Sequence, residues 1–420
     1  MNSASSPTPA LTDAPPPLPV GVAYDPLARF RRKIGENARY WRHLLESTPA
    51  QEEAGAVDQE FANLYKAVEQ ALAEPSAWEA GLDLAGALWP VVSGRGFWLE
   101  WAEVLGRAQT AARRLVRPAV EAQILDQRGE LARFLGDAPQ ALDLQSQALA
   151  LFRRLGDDES TGRVLNHLSQ AHMTLGEYTA AQACCQEAAT IFEATGNQAE
   201  LAQTHLRWGL ICAELTRWDE ALGHHRTAEQ IFVALEEVGG QAMALNNQGH
   251  VLRLREDFPG AIDAFERAMA MHGMARDEIN EARSRVNLGI VYDSLGDPRR
   301  ALALHREVEP LFRRLGDRPS LARVLNNQGV FLRDLGQPDA AAEAFGQAVT
   351  LHLQNGNNTY AVMTLLTLAQ MRINLGDIES ARGSLGEAEG LLAVLPHAPK
   401  REMERLREMM RMVKGEDRQE

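Results

Sequence analysis

The 420-residue chain is poor in cysteine, lacks an excess of basic charge and contains no long apolar run. Its three cysteines, Cys184, Cys185 and Cys212, are odd in number, two are adjacent, and no C-x-x-C occurs. That excludes a disulfide framework and fits a reducing, cytoplasmic setting. No stretch approaches the roughly 18–20 apolar residues of a membrane span. The first 23 residues have neither the basic start nor the clean hydrophobic stretch of a secretion signal. A net charge of −14 argues against bulk attraction to nucleic acid or to an anionic membrane, so neither is an expected partner. Motifs with chemistry are missing as well. There is no G-x-x-x-x-G-K-S/T, no H-E-x-x-H and no G-x-S-x-G, so no ATP site, no cofactor, no metal and no catalysis is expected.

What the sequence does have is a period. "LNNQGHVLR" begins at Leu245 and "LNNQGVFLR" at Leu325, with a looser copy, "LNHLSQAHM", at Leu165, so the phrase returns every 80 residues. Beneath it runs a shorter step of 40: alanine recurs at Ala141, Ala181, Ala221, Ala261, Ala301, Ala341 and Ala381. Small residues form a second column from Ala148 to Ala388, interrupted by Val308. Glycines form a third at Gly129, Gly209, Gly249, Gly289 and Gly329, with Ser169 and Ala369 in its gaps. Phe152, Phe192, Phe232 and Phe312 close their units. Each unit reads as two helices. Ala322 to Leu335 has helical apolar spacing and stops at Gly336; Pro338 and Asp339 then open a second helix that runs to about Leu353. Strand signals are absent. The small columns mark places where paired helices approach closely, and size selects alanine and glycine there.

The pattern Leu288-Gly289, Tyr292, Ala301, followed seven positions on by a small residue (Ala268 in the preceding unit, Val308 here), resembles the tetratricopeptide repeat family over residues 118–397. The 40-residue step and the "LNNQG" phrase are similar to the longer type found in kinesin light chains and bacterial peptide-sensing regulators. The resemblance implies an all-α solenoid, a right-handed superhelix of antiparallel helix pairs whose first helices line a concave groove. Two loops depart from the pattern: Arg255-Glu256 stands for Leu-Gly and Arg276-Asp277 for Gly-Asp, and these are expected to be looser.

The non-core face of the first helices supplies the candidate site. Arg323, Asn326, Val330 and Arg333 share one face at spacings of three and four. The same face offers Arg163, Asn166 and Gln170, then Asn246, His250 and Arg253, then Arg283. Asn247, Asn287 and Asn327 form the column beside it. An asparagine amide both donates and accepts, so it can pair with the free N–H and C=O of an extended peptide. Flanking arginines can fork onto carboxylates. These residues therefore point to a protein or peptide segment of acidic character as the partner. Alternatively, the asparagines bridge neighbouring first helices and bind nothing. A second copy of the chain is a further candidate partner.

The ends are less regular. Residues 1–28 are rich in proline, serine and alanine and read as a disordered tail. Residues 29–117 read as a helical segment containing a degenerate repeat, with Trp78, Trp89, Trp98 and Trp101 as the core of an N-terminal cap and the basic run Arg29–Arg42 as a solvated helix face. This segment is similar to the stretch that joins ATPase to repeats in bacterial STAND-type regulators, although this chain shows no P-loop. Residues 398–420 read as an amphipathic capping helix and tail, with Met403, Leu406, Met409, Met410 and Met412 available for its inner side. The function expected is non-catalytic binding of a segment in the groove. The runner-up is a partner-responsive sensor module of a bacterial signalling or transcriptional system.

Overall fold

The computed structural model describes residues 25–47, 50–95, 98–395 and 400–414. The expected tail lies outside the described residues as far as residue 24, and Pro26 already opens the first helix. Among the described residues the secondary structure is wholly helical. The chain divides into two compact units at Gly156/Asp157.

The first unit contains α1 (Pro26–Ser47), α2 (Ala50–Ala73), a short 3-10 turn (Pro75–Ala77), α3 (Trp78–Arg95), α4 (Trp98–Arg114), α5 (Pro118–Phe134) and α6 (Ala138–Leu155). Its core gathers Leu64, Val68, Leu84, Leu88, Trp101 and Leu105, with Trp78 and Trp89 packed against it. The tryptophans therefore build a core, as the sequence suggests; the Trp98 side chain lies outside those described. The Trp78 indole N–H donates to the Leu72 carbonyl at 2.9 Å, which satisfies its polar edge. The basic run of α1 is solvated, with Arg31 paired to Glu74 and Arg42 to Asp83.

The second unit continues the pairs: α7 (Asp158–Thr174), α8 (Tyr178–Thr195), α9 (Gln198–Glu214), α10 (Trp218–Ala234), α11 (Val238–Leu254), α12 (Phe258–Met274), α13 (Glu278–Ser294), α14 (Pro298–Leu315), α15 (Arg318–Asp334), α16 (Pro338–Gln354), α17 (Asn358–Asn374) and α18 (Ile378–Val394). Connections of a few residues leave no room for anything but antiparallel neighbours. A capping helix, α19 (Lys400–Lys414), covers the last pair with Leu406, Met409 and Val413 buried. Met412 faces solvent and Val413 takes the inner place expected of it, because 413 and not 412 continues the 406–409 stripe.

The columns have a plain physical meaning. All seven alanines from Ala141 to Ala381 are fully buried. The glycine column exists because a side chain from the second helix lies on it, Gln145 at Gly129 and a ring at the others: a Cβ on Gly289 would stand 2.6 Å from the His305 ring, and one on Gly329 2.7 Å from Phe345. The first helices of the repeats end on a residue with left-handed backbone, and an aspartate caps four of the second helices, α6, α12, α14 and α18; Asp297, for example, accepts from the Arg300 N–H at 3.1 Å after Gly296 at φ 79. The loops expected to be looser are not. Glu256 and Arg276 take φ values of 64 and 57, and the following N–H groups reach back 2.9 Å to Leu252 and His272. The helix contacts on both sides dictate the turn, and the side chain submits to it.

Candidate functional site

Two neighbouring columns of the first helices alternate with the 80-residue period. One reads Val164, Thr204, Ala244, Ser284, Val324, Thr364; the other reads Asn166, Leu206, Asn246, Val286, Asn326, Leu366. Each asparagine meets the hydroxyl 38 positions on, in the next first helix. Asn166 Nδ2 donates to Thr204 Oγ1 at 2.9 Å, Ser284 Oγ stands 3.2 Å from Asn246 Oδ1, and Thr364 Oγ1 stands 3.0 Å from Asn326 Oδ1. Between these clasps the contacts are apolar: Leu206 packs with Ala244, and Val286 with Val324. The "LNNQG" phrase thus marks every second repeat because polar and apolar joints alternate. Bridging is what these three asparagines do within the chain.

They differ in what remains free. Asn166 is buried, and its Oδ1 has no partner. Asn246 also accepts from Asn287 Nδ2 at 3.1 Å, which closes that site from the side. Asn326 is half-buried and opens onto a cavity of about 570 Å³ between α13, α15 and α17, lined also by Arg283, Arg323, His352, Asn357, Tyr360 and Met363. Arg283 is held by Asp317 at 3.3 Å and by Asn280 at 3.2 Å. Arg323 has no hydrogen-bonding or ion-pair partner among the described residues. Burial and then the neighbouring Arg283 push its pKa below the ordinary arginine value, with Asp317 and Tyr360 acting the other way. Two guanidinium groups therefore share one carboxylate, and a positive charge is left over.

The other sequence-identified residues scatter. Arg163 pairs with Glu159 within its own helix, and Arg333 with Asp334 beside it. Arg253 and His250 stand together, half-buried, with burial lowering both pKa values. Asn327 Nδ2 lies 3.3 Å from His305 Nε2, so it serves the core ring. Asn247 and Gln170 side chains have no partner among the described residues. Sequence reasoning missed His352, Tyr360 and Met363. Tyr360 is the signal that was available: its column otherwise reads Val120, Ser160, Glu200, Gly240, Asn280 and Ser320.

Histidines and cysteines pack. His225 is buried on Gly209 with both ring nitrogens unpartnered, and burial takes its pKa down to about 3. His224 stacks on Trp208 at 4.3 Å and lies 3.0 Å from His205, Nδ1 to Nδ1. Cys185 and Cys212 are buried free thiols, and burial raises Cys185 to about 11. Among the described residues no group of three or more metal-ligating side chains gathers. No helix there is long and apolar enough to cross a membrane.

Antiparallel helix pairs packed on one another, with small-residue columns between them, define a helical repeat scaffold. The chain belongs to the tetratricopeptide repeat family: the family model matches residues 120–194, 160–234, 200–274, 240–314 and 280–354. No curated protein sequence matches it. Among solved structures it is similar to a Rap protein complexed with competence and sporulation factor, at 15% identity and TM-score 0.58, covering 90% of this chain and 99% of that one. It is also similar to the quorum sensor NprR from B. thuringiensis, at 12% identity and TM-score 0.54, over 86% and 99% of the two chains. A STAND protein with a tetratricopeptide repeat sensor from Pyrococcus horikoshii matches at 13% identity and TM-score 0.57, over 92% of this chain and 54% of that one. At these identities the likeness is one of fold.

Proposed function

We propose that the protein is a non-catalytic binding scaffold that holds an acidic protein or peptide segment on the face of its first helices. The observation that carries this is Arg323: a guanidinium without an internal partner, facing a cavity beside Asn326 and a second arginine. Arg323 is exposed at the cavity, so its charge meets water in the free chain and a ligand carboxylate can take the water's place. Arg253, also without a partner among the described residues, extends the same face. Three free thiols fit a reducing, cytoplasmic setting.

Titrating the full chain with a pool of short acidic peptides tests this. Binding is expected, weakening as salt rises past the range where the screening length is about 8 Å. Arg323→Gln is expected to reduce affinity about tenfold or more, the loss of a charge-assisted hydrogen bond of about 1.5–3 kcal/mol. Affinity flat in salt and unchanged in the variant would end the reading.

A second reading, a sensor module whose bound segment biases a regulatory partner, is favoured by the structural likeness to a Rap protein complexed with competence and sporulation factor, to the quorum sensor NprR and to a STAND protein with a tetratricopeptide repeat sensor.

A further inference from the structure

The set of polar groups at the cavity between α13, α15 and α17 is not repeated with the same openness among the described residues of the first-helix face. The equivalents of its polar groups are closed elsewhere: Asn166 is buried, Asn246 is covered by Asn287, and Arg163 is paired. An extended ligand held evenly along the array would need such donors at every step. Open volume beside both the unpaired Arg323 and Asn326 fits a compact group seated there. The volume, about 570 Å³, is in the range of small-ligand pockets, roughly 300–1,000 Å³.

Its walls are of two kinds. On one side Tyr360 is 58% exposed, and its ring is backed by the buried His352 ring, 5.5 Å away between centroids and 21° from parallel. The other residues of the Tyr360 column are Val, Ser, Glu, Gly, Asn and Ser, so no packing rule of the repeat asks for a ring there. An exposed aromatic held flat by a neighbour is a stacking platform, and Met363, 41% exposed, adds a soft apolar contact beside it. On the other side stand Arg323 and the Asn326 amide, with Arg283 already given to Asp317. The uncompensated charge is a single positive one, which suits one carboxylate better than a dianion.

We propose that this pocket is a recognition site for one aromatic ring carrying a carboxylate close by: the ring stacks on Tyr360 and the carboxylate is taken by Arg323. The chemistry is shared by a free aromatic acid and by an aromatic residue of a peptide. The proposal rests on the first-helix face being the binding face.

Calorimetric titration of the full chain with N-acetyl-tyrosine, N-acetyl-tyrosine amide, N-acetyl-leucine and N-acetyl-Glu-Tyr amide tests it. N-acetyl-tyrosine is expected to bind at least tenfold more tightly than its amide and than N-acetyl-leucine. Arg323→Gln is expected to abolish the preference for acid over amide, and Tyr360→Ser the preference for ring over leucine. Because Ser320 holds the same column one repeat earlier, the second change is compatible with the fold. If N-acetyl-Glu-Tyr amide binds as well as N-acetyl-tyrosine, the ligand is an internal peptide segment; if only the free acid binds, it is a chain terminus or a small aromatic acid. Equal binding of acid and amide to the wild type, no binding of any of the four at millimolar concentration, or a preference intact in Arg323→Gln would overturn it. Ring-free acidic peptides that bind wild type and Tyr360→Ser alike would sink this proposal and leave the acidic-segment reading standing. Binding of N-acetyl-tyrosine without any acidic peptide binding would do the reverse.

Discussion

Asn166 and Thr204 show why a polar residue can sit in the middle of a buried helix face. The Thr204 hydroxyl has one proton, which goes to the Glu200 carbonyl 2.8 Å away, and its lone pair takes the Asn166 amide. Asn166→Ala removes that donor and leaves a buried hydroxyl short of a partner, a loss of about 1–3 kcal/mol in denaturant unfolding. Replacing both partners by the pair found at the next joint, Asn166→Leu with Thr204→Ala after Leu206 and Ala244, is expected to recover most of it. A double variant as unstable as the single one would show that the amide does something other than bridge. His225 makes the complementary point. Its folded pKa of about 3 lies below the ordinary 6.5, with burial the main cause and His224 and His250 adding to it. An unfolded chain takes up a proton below pH 6.5 that the folded ring refuses, so its contribution is complete above 6.5 and is lost as pH falls toward the folded value. His225→Phe, which copies Phe265 one repeat on, should make the fall in melting temperature between pH 6.5 and about 4 shallower. An unchanged slope would mean that this ring is already solvated in the native state.

Helix ends and the turns between helices are set by the array more than by the residue at the turn. At 256 and 276 the left-handed backbone is held by Glu and Arg, while Gly296, Gly316 and Gly336 take it elsewhere. A side chain in that region costs about 1 kcal/mol relative to glycine. Glu256→Gly and Arg276→Gly are each expected to raise stability by up to about that amount, less the extra freedom glycine gives the unfolded chain. Destabilisation by either would show that Arg255–Asp257 or Arg276–Glu278 gains something from its side chains beyond the turn. This is also where the sequence misled: a missing glycine reads as a weak turn, yet tertiary contact on both sides overrides the local preference.

At the scale of the whole chain, period carries more information than composition. Helix pairs, their boundaries to within a few residues and the buried alanine column were all legible, because each rests on spacing repeated along the array. The pocket was only half legible. Arg283, Arg323 and Asn326 stand out by column, but His352, Tyr360 and Met363 come from the second helix of one repeat and the first helix of the next, and only packing brings them together. Repetition also makes a mechanical prediction. Ala261 is fully buried in the core that joins α12 to α13 and α14, with Leu288, Val291 and Ala301 in the same cluster. Ala261→Leu adds three carbons at a site with no exposed surface, and overpacking of this kind costs about 1–3 kcal/mol. Each repeat touches mainly its neighbours, so the strain should stay near its source and loosen α11 to α14 before the outer pairs of the second unit. Hydrogen exchange is then expected to speed up over residues 242–312, with little change in α7 or α17. Exchange that rises evenly over the second unit would mean that this array unfolds as one cooperative block, and the column would then be a global keystone instead of a local spacer.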